Sequence, residues 1–348
     1  MTTPWGLPDF DAHEELRFVH DRASGLKAII AVHSTHLGPA AGGSRFWHYA
    51  RDDDGLTDAL RLSRAMSYKN AMASLPFGGG KAVILADKAR SKSTELLHAL
   101  GNEIEAMGGR YITAEDVGMS VPDMMKIRDM TGYVAGLPVK GAAAGGDPGP
   151  HTAAGVFAGI KAAVKRQLGK FRLKGLHIAV QGAGSVAAGV AVLAAGEGAN
   201  LSIADIDPVK AANLAALTGG TVVDPRDILL LEADVISPCA LGSILNEESI
   251  PALRAAVVAG GANNQLATPH DGPRLHARGI LYAPDYVINA GGIISVCTEY
   301  MAGSAELVRR RVDAISNRLE DVWSESAATG VDPATVADQI ANRLIGRA

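Results

Sequence analysis

Residues 176–196 read LHIAVQGAGSVAAGVAVLAAG, and this stretch constrains the fold more than any other. The opening LHIAVQ is an apolar run of strand length. Glycines at 182, 184 and 189 break the pattern, and an alanine-rich segment of helix length follows. The whole is long and apolar enough to cross a bilayer, but the glycines divide it into a strand, a tight turn and a buried helix. A second strand, NLSIADID at 200–207, comes next. Strand, turn, helix and strand in that order form a βαβ unit, whose parallel strands need both faces covered.

The surrounding sequence extends the pattern. Strand-like runs near 221–224, 233–237 and 256–260, with helix-like segments between some of them, predict a doubly wound parallel sheet. A helix is expected from about Thr152 to Gly169. Nearer the N-terminus, 26–33, 82–86 and 110–113 read as strands, and 55–74 and 92–107 have helical spacing. That part is a mixed α/β domain. KGAAAGGDPGP at 140–150 is the clearest linker. A chain of 348 residues exceeds what one core usually needs. The expectation is therefore two α/β domains separated by a cleft, 1–142 completed by 326–348, and a Rossmann domain over 147–325. Residues 304–346 read as two helices, the charges of VRRRVDAISNRLEDVW forming a solvated face.

Composition excludes several classes. The net charge is only −4, and no Lys/Arg cluster is interleaved with aromatics, so nucleic acid is not an expected partner. The two cysteines, Cys239 and Cys297, lie far apart and lack metal-ligand spacing, which points to a reducing compartment. The start MTTPWGLPDF lacks a basic segment followed by an apolar run, so no export signal is read. The expectation is a soluble, cytoplasmic protein that meets no membrane.

GAGSVA at 182–187 is the GxGxxA form of the dinucleotide fingerprint, weak alone but strengthened by the strand before it, the helix after it and an aspartate about 20 residues on. Gly182 permits the tight turn, Gly184 lets a pyrophosphate approach the backbone, and Ala187 lets the helix pack closely. The helix start at Ser185 and Val186 presents free N–H groups to phosphates. Asp205 would accept hydrogen bonds from the adenine ribose and repel a 2′-phosphate, favouring NAD over NADP; Asp207 is the rival for that role. The bland alternative is a βαβ turn without ligand.

LPFGGGKAVIL at 75–85 sets three glycines before Lys81. A nucleotide phosphate loop would need a glycine where Leu75 stands and Ser or Thr in place of Ala82, so that reading fails. Other polar residues in apolar or glycine-rich settings are Lys69 in MSYKNA, Asp116 in TAEDVGMS, and the glycines of GPAAGGSR at 38–45. Buried lysine needs a reason. Snorkelling is the bland explanation for one lysine, and a poor one for two beside an aspartate in a chain with a dinucleotide fingerprint.

The blocks SGLKAIIAVH, LGPAAGGSR, MSYKNA, GGGKAVI, RYITAEDVG, QGAGSVA, PCALG and LYAPDYVINAGG run through nearly the whole chain. In this order they resemble the amino acid dehydrogenases acting on glutamate, leucine, phenylalanine and valine. The resemblance implies that Lys69 holds the substrate carboxylate, that Lys81 is the catalytic lysine, and that Asp116 shuttles protons at the substrate nitrogen. Gly42 and Gly43 would line the same pocket. Asn263 and Asn264 fall where the family places a substrate- or nicotinamide-contacting asparagine. Asn289 and Thr152 would touch the nicotinamide carboxamide, and Pro238, Cys239 and Ala240 would run beside the cofactor ribose. Cys239 is then not a nucleophile. The glycines of GGGK would let main chain press against the substrate so that Lys81 reaches Cα.

By the same analogy Ala41, Met66, Ala114, Glu115, Ile293 and Val296 shape the side-chain pocket. Ile293 and Val296 look like a leucine enzyme; Ala41 is smaller than expected and looks like a phenylalanine enzyme. One methylene is worth about 1–3 kcal/mol of discrimination. The resemblance implies NAD-dependent, reversible oxidative deamination of a branched-chain L-amino acid to a 2-oxo acid and ammonia, with aromatic amino acids as the alternative, in a homo-oligomer built through the first domain. The competing classes are a non-catalytic NAD-binding protein, which would not need Lys81 or Asp116, and a hydroxy acid dehydrogenase, which would need a His–carboxylate base not evident around His151.

Overall fold

The structure is a computed structural model that describes residues 3–87, 92–138, 144 and 147–347. The chain forms two compact units. One comprises 1–146, 295–307 and 341–348, the other 147–294 and 308–340. Most of the linker expected at 140–150 lies outside the described residues.

The first unit holds strands β1 (Glu15–Asp21), β2 (Leu26–Ser34), β3 (Ala40–Ala41), β4 (Ser44–Trp47), β5 (Gly78–Leu85) and β6 (Tyr111–Ile112), and helices α1 (Asp52–Met72), α2 (Thr94–Glu105) and α3 (Val121–Arg128). The sheet order is β1-β2-β5-β3-β6, with β4 also pairing β5. β1, β3 and β4 were not expected; β3 and β4, on either side of Gly42–Gly43, are too short to show a period of two. Side chains alternate across the sheet. Leu26, Ala28, Ile30, Ala82 and Ile84 pack with Leu97, Leu100 and Ile104 of α2 and Met124 and Ile127 of α3. Ile29, Ala31 and Val83 face Ala59 of α1. Ser93 Oγ accepts from Leu96 N to cap α2, and Ser120 and Asp123 form a capping box on α3.

In register, Ala40 and Ala41 pair Gly78 and Gly79, while Ser44 to Trp47 pair Ala82 to Leu85. The ladder lapses only at Gly42–Gly43, opposite Gly80–Lys81. The GGGK segment is thus a strand, and its glycines admit protein rather than substrate. A Cβ on Gly78 would stand 1.8 Å from Ser34 O, one on Gly79 2.0 Å from Ser67 N, and one on Gly80 2.7 Å from the Tyr111 ring.

The second unit opens with α4 (Gly149–Leu168) and continues with β7 (His177–Gln181), α5 (Ser185–Gly196), β8 (Asn200–Ala204), α6 (Pro208–Thr218), β9 (Thr221–Val222), β10 (Glu232–Pro238), α7 (Ser249–Ala252), β11 (Arg254–Val258), α8 (Asp271–Ala277), β12 (Leu281–Tyr282) and α9 (Asp285–Ile288). All its strand pairs are parallel, in the order β12-β11-β10-β7-β8-β9. This is the doubly wound arrangement read from the βαβ pattern, with the topological switch between β7 and β10. A Cβ on Gly189 would lie 2.5 Å from Ala153 Cβ, so α4 and α5 cross where only glycine fits.

The chain closes with α10 (Gly291–Tyr300), α11 (Ala305–Asp313), α12 (Ile315–Thr329) and α13 (Pro333–Leu344). Residues 304–346 therefore form three helices rather than two. The segment 326–340 clusters with the second unit, where the sequence reading assigned it to the first. The reason is packing: Ala334 packs on the core of the second unit, and Tyr286 Oη donates to Asp338 Oδ1 at 2.8 Å. Among the described residues no helix is long and apolar enough to cross a membrane.

Candidate active site

The first unit gathers a charged cluster around the gap in its ladder. Lys81 sits on β5 with the parity of Gly79 and Val83, and is 4% exposed. Asp116 lies in the segment after β6, which is stitched along β4: Ser44 N donates to Ala114 O at 2.9 Å and Phe46 N to Val117 O at 3.0 Å. Lys81 Nζ then stands 2.8 Å from Asp116 Oδ2. Burial pushes the Lys81 ammonium below the usual lysine range, although Asp116 pulls it back. Burial alone would raise the Asp116 carboxyl, but Lys81 and then Arg45 outweigh it and hold it below the ordinary range.

The glycine pair of β3–β4 frames this cluster. A Cβ on Gly42 would collide with Gly80 O at 1.9 Å and approach Met66 Cγ at 3.0 Å; one on Gly43 would meet Asp116 Cβ at 2.8 Å. Tyr111 Oη donates to Gly42 O at 2.7 Å and accepts from Ala82 N at 3.1 Å. Burial pushes its hydroxyl up to about 12, so it stays a neutral donor. Ala41 and Ala114 are buried at the same strands, and Lys69 is partly buried in the last turn of α1, beyond Met66.

Three supporting residues sit inside the family blocks without a role implied by the resemblance. Asn70, next to Lys69, is fully buried and donates to Gly78 O at 2.6 Å and Ala41 O at 3.3 Å, holding β3 onto β5. Arg45 donates through Nε to Asp116 Oδ2 at 2.9 Å. Tyr111 lies in RYIT, where its residue type alone gives no signal of a role. A buried amide and a cation straight after Gly-Gly-Ser were the available signals.

The second unit builds a different cradle at its switch point. Gly182, with φ +102°, ends β7 beside β10; a Cβ there would stand 3.0 Å from Ala240 Cβ. Cys239 N donates to Gln181 O at 2.8 Å, tying the two strand ends together. The Cys239 thiol is pushed up by burial and accepts from Gly261 N at 3.3 Å, which suits packing rather than nucleophilic attack. A Cβ on Gly184 would meet nothing within 4 Å, so the start of α5 faces open space with its first N–H groups. Asp205 Oδ2 accepts from Ala183 N at 2.7 Å, inside this turn. Asp207 instead caps α6, accepting from Val209 N and Lys210 N.

Asn289 Nδ2 donates to Asn263 Oδ1 at 2.7 Å and Gly261 O at 3.2 Å, while its Oδ1 is buried with no partner. Asn264 holds φ +52° and its carbonyl accepts from Ser243 N at 2.6 Å. A Cβ on Gly292 would lie 2.8 Å from Thr152 Oγ1, which donates to Pro148 O. Ile293 belongs to this unit and Val296 to the first. The open face at Gly184 and the orphaned Asn289 oxygen fit a dinucleotide with a carboxamide donor.

A family model described as Glu/Leu/Phe/Val dehydrogenase, dimerisation domain, matches residues 13–133, and one described as Glutamate/Leucine/Phenylalanine/Valine dehydrogenase matches residues 202–343. The chain is 46% identical to a leucine dehydrogenase of Bacillus subtilis (strain 168), over 96% of this chain and 92% of that protein. It is 41% identical to a valine dehydrogenase of Streptomyces albus, over 98% of this chain and 94% of that protein. The crystal structure of L-tryptophan dehydrogenase from Nostoc punctiforme superposes with TM-score 0.86 at 41% identity, covering 96% of each chain.

Proposed function

The chain belongs to the Glu/Leu/Phe/Val dehydrogenase family, and from that premise we propose that it catalyses the reversible NAD-dependent oxidative deamination of a branched-chain L-amino acid to the 2-oxo acid and ammonia. Family membership makes it an oxidoreductase acting on CH–NH2. The observation that carries the reading is the buried Lys81 held 2.8 Å from Asp116.

Loss of hydride from Cα needs a neutral amine. Asp116, kept ionised by Lys81 and Arg45, accepts the proton that the substrate ammonium gives up. The resulting imine must then take up water. Lys81, whose burial favours the neutral amine, removes a proton from that water and returns one to the departing nitrogen. Lys69 holds the carboxylate, and Gly42 and Gly43 line the pocket with backbone, their lack of a side chain letting β3 and β4 close against Gly80 O and Glu115 O. NAD supplies the hydride acceptor when bound; the start of α5 would hold its pyrophosphate, Asp205 its adenine ribose and Asn289 Oδ1 its carboxamide.

Branched-chain specificity rests on the leucine and valine relatives and on Ile293 and Val296. Ala41 and the L-tryptophan dehydrogenase likeness support aromatic amino acids as the second reading. The low cysteine content, two in 348 residues, supports a cytoplasmic setting. Association through the first unit is supported by β1, which among the described residues pairs only β2 and so stands at the sheet edge. The test is to mix purified protein with NAD or NADP and a panel of L-amino acids and follow reduced cofactor. Turnover of leucine, isoleucine and valine with NAD is expected; no turnover with any amino acid would refute the reading.

A further inference from the structure

The cluster holds a guanidinium that the chemistry above uses only as a charge. Arg45 lies on β4, just past the Gly42–Gly43 gap. Its Nε donates to Asp116 Oδ2 at 2.9 Å and its NH1 to Asp58 Oδ2 at 2.7 Å. Tyr49 Oη donates to the same Asp58 oxygen. Lys81 Nζ stands 2.8 Å from Asp116 Oδ2. Two cations therefore converge on one oxygen of Asp116, and among the described residues none hydrogen-bonds Oδ1.

We propose that Arg45 is a positioning residue of the dehydrogenase reaction: anchored by Asp58 and Tyr49, it locks Asp116 through Oδ2 and leaves Oδ1 as the oxygen that exchanges protons with the substrate nitrogen. This rests on the reading under Proposed function. A carboxylate turns easily about its last torsion, and one ammonium contact does not fix its plane. The rigid guanidinium fork does, because its far side is held on α1. The arrangement also links α1, which carries Lys69 farther along, to the loop that carries Asp116. The ionisable groups facing the pair are Lys81 from β5, Arg45 from β4, Asp58 from α1 and Tyr111 from β6, with Tyr49 behind Asp58. Arg45 lowers the pKa values of Lys81 and Asp116 alike, so its removal raises both.

The test uses the full-length protein with Arg45→Lys, Arg45→Gln and Asp58→Asn. Arg45→Lys keeps the charge and loses the fork; kcat should fall about tenfold or more with KM little changed, and the acid limb of kcat/KM should hold its place. Arg45→Gln should lose more and shift that limb up by about one pH unit. The pH midpoint of Lys81 acetylation by trace acetic anhydride, read by mass spectrometry, should shift with it. Asp58→Asn, which frees the anchor, should lower kcat in the same direction and carries the test if Arg45→Gln fails to fold. A kcat within twofold of the parent in Arg45→Lys and Asp58→Asn overturns the proposal, as does an unmoved Lys81 midpoint in Arg45→Gln. If the parent oxidises no amino acid, the functional reading fails separately, and the Lys81 midpoint still decides whether Arg45 governs the pair.

Discussion

Gly43 and Asp116 are packed so closely that a Cβ on Gly43 would stand 2.8 Å from the Asp116 Cβ. Both glycines meet backbone: the Cβ on Gly43 would also fall 2.6 Å from Glu115 O, in the segment that carries Asp116, while one on Gly79 would fall 2.0 Å from Ser67 N on α1. The two alanine variants should therefore fail differently. Gly43→Ala presses on the short Glu115–Asp116 segment, and should cost about 1–3 kcal/mol of stability while cutting kcat about 100-fold by displacing Asp116. Gly79→Ala must lift α1 from β5 and should cost more than about 3 kcal/mol. Denaturant melts and turnover measured side by side check the contrast; equal destabilisation of both would contradict it.

Lys81→Met removes the buried amine without adding a charge. Turnover should fall about 100- to 10,000-fold, the span of general acid–base catalysis. Cofactor affinity, measured by calorimetry, should stay within about threefold, since the cradle belongs to the other unit. In the parent, kcat/KM should rise with pH through a limb below the ordinary lysine value of about 10.4, because burial favours the neutral amine. A limb at or above that value would argue against Lys81 as the base.

Asp205→Ala should raise the NAD dissociation constant about tenfold and narrow the preference over NADP, because it removes both a ribose acceptor and the 2.7 Å bond to Ala183 N. Asp207→Ala should cost only the α6 cap, about 1 kcal/mol of stability, and leave the preference intact. Titrating both cofactors into both variants settles which aspartate acts.

His33 is fully buried, with Nδ1 2.8 Å from Ser67 Oγ, and Arg347 donates to its Nε2 at 2.7 Å. Burial, then Arg347, pushes its pKa down to about 4. The folded ring is neutral, while the unfolded chain takes up a proton below about 6.5. The unfolded state thus binds more protons between these values, and stability rises with pH across that window. The melting temperature should drop several degrees as pH falls from 7 to 5. His33→Gln should flatten that slope; an unchanged slope would assign it to other groups.

Phe18 is 59% exposed on the β1 edge strand. If the first unit associates there, Phe18→Asp should lower the mass measured by light scattering without unfolding the protein. An unchanged mass would place the contact elsewhere.

The sequence by itself determined the doubly wound sheet, because the 182–187 turn leaves a βαβ unit few alternatives, and the family, because its blocks recur in order. It marked Lys81 and Asp116, since charges among glycines and apolar residues stand out in a linear chain. Tertiary structure alone decided why the glycines of 78–80 are there: each is filled by protein arriving from a distant part of the chain, Ser34, Ser67 or Tyr111. It also decided that Arg45, Asp58 and Tyr49 back the pair, and that 326–340 joins the second unit. A periodic pattern records which face of an element is buried, but not which partner buries it. Long-range ion pairs and close backbone approaches leave no period, and so appear only once the strands are in register.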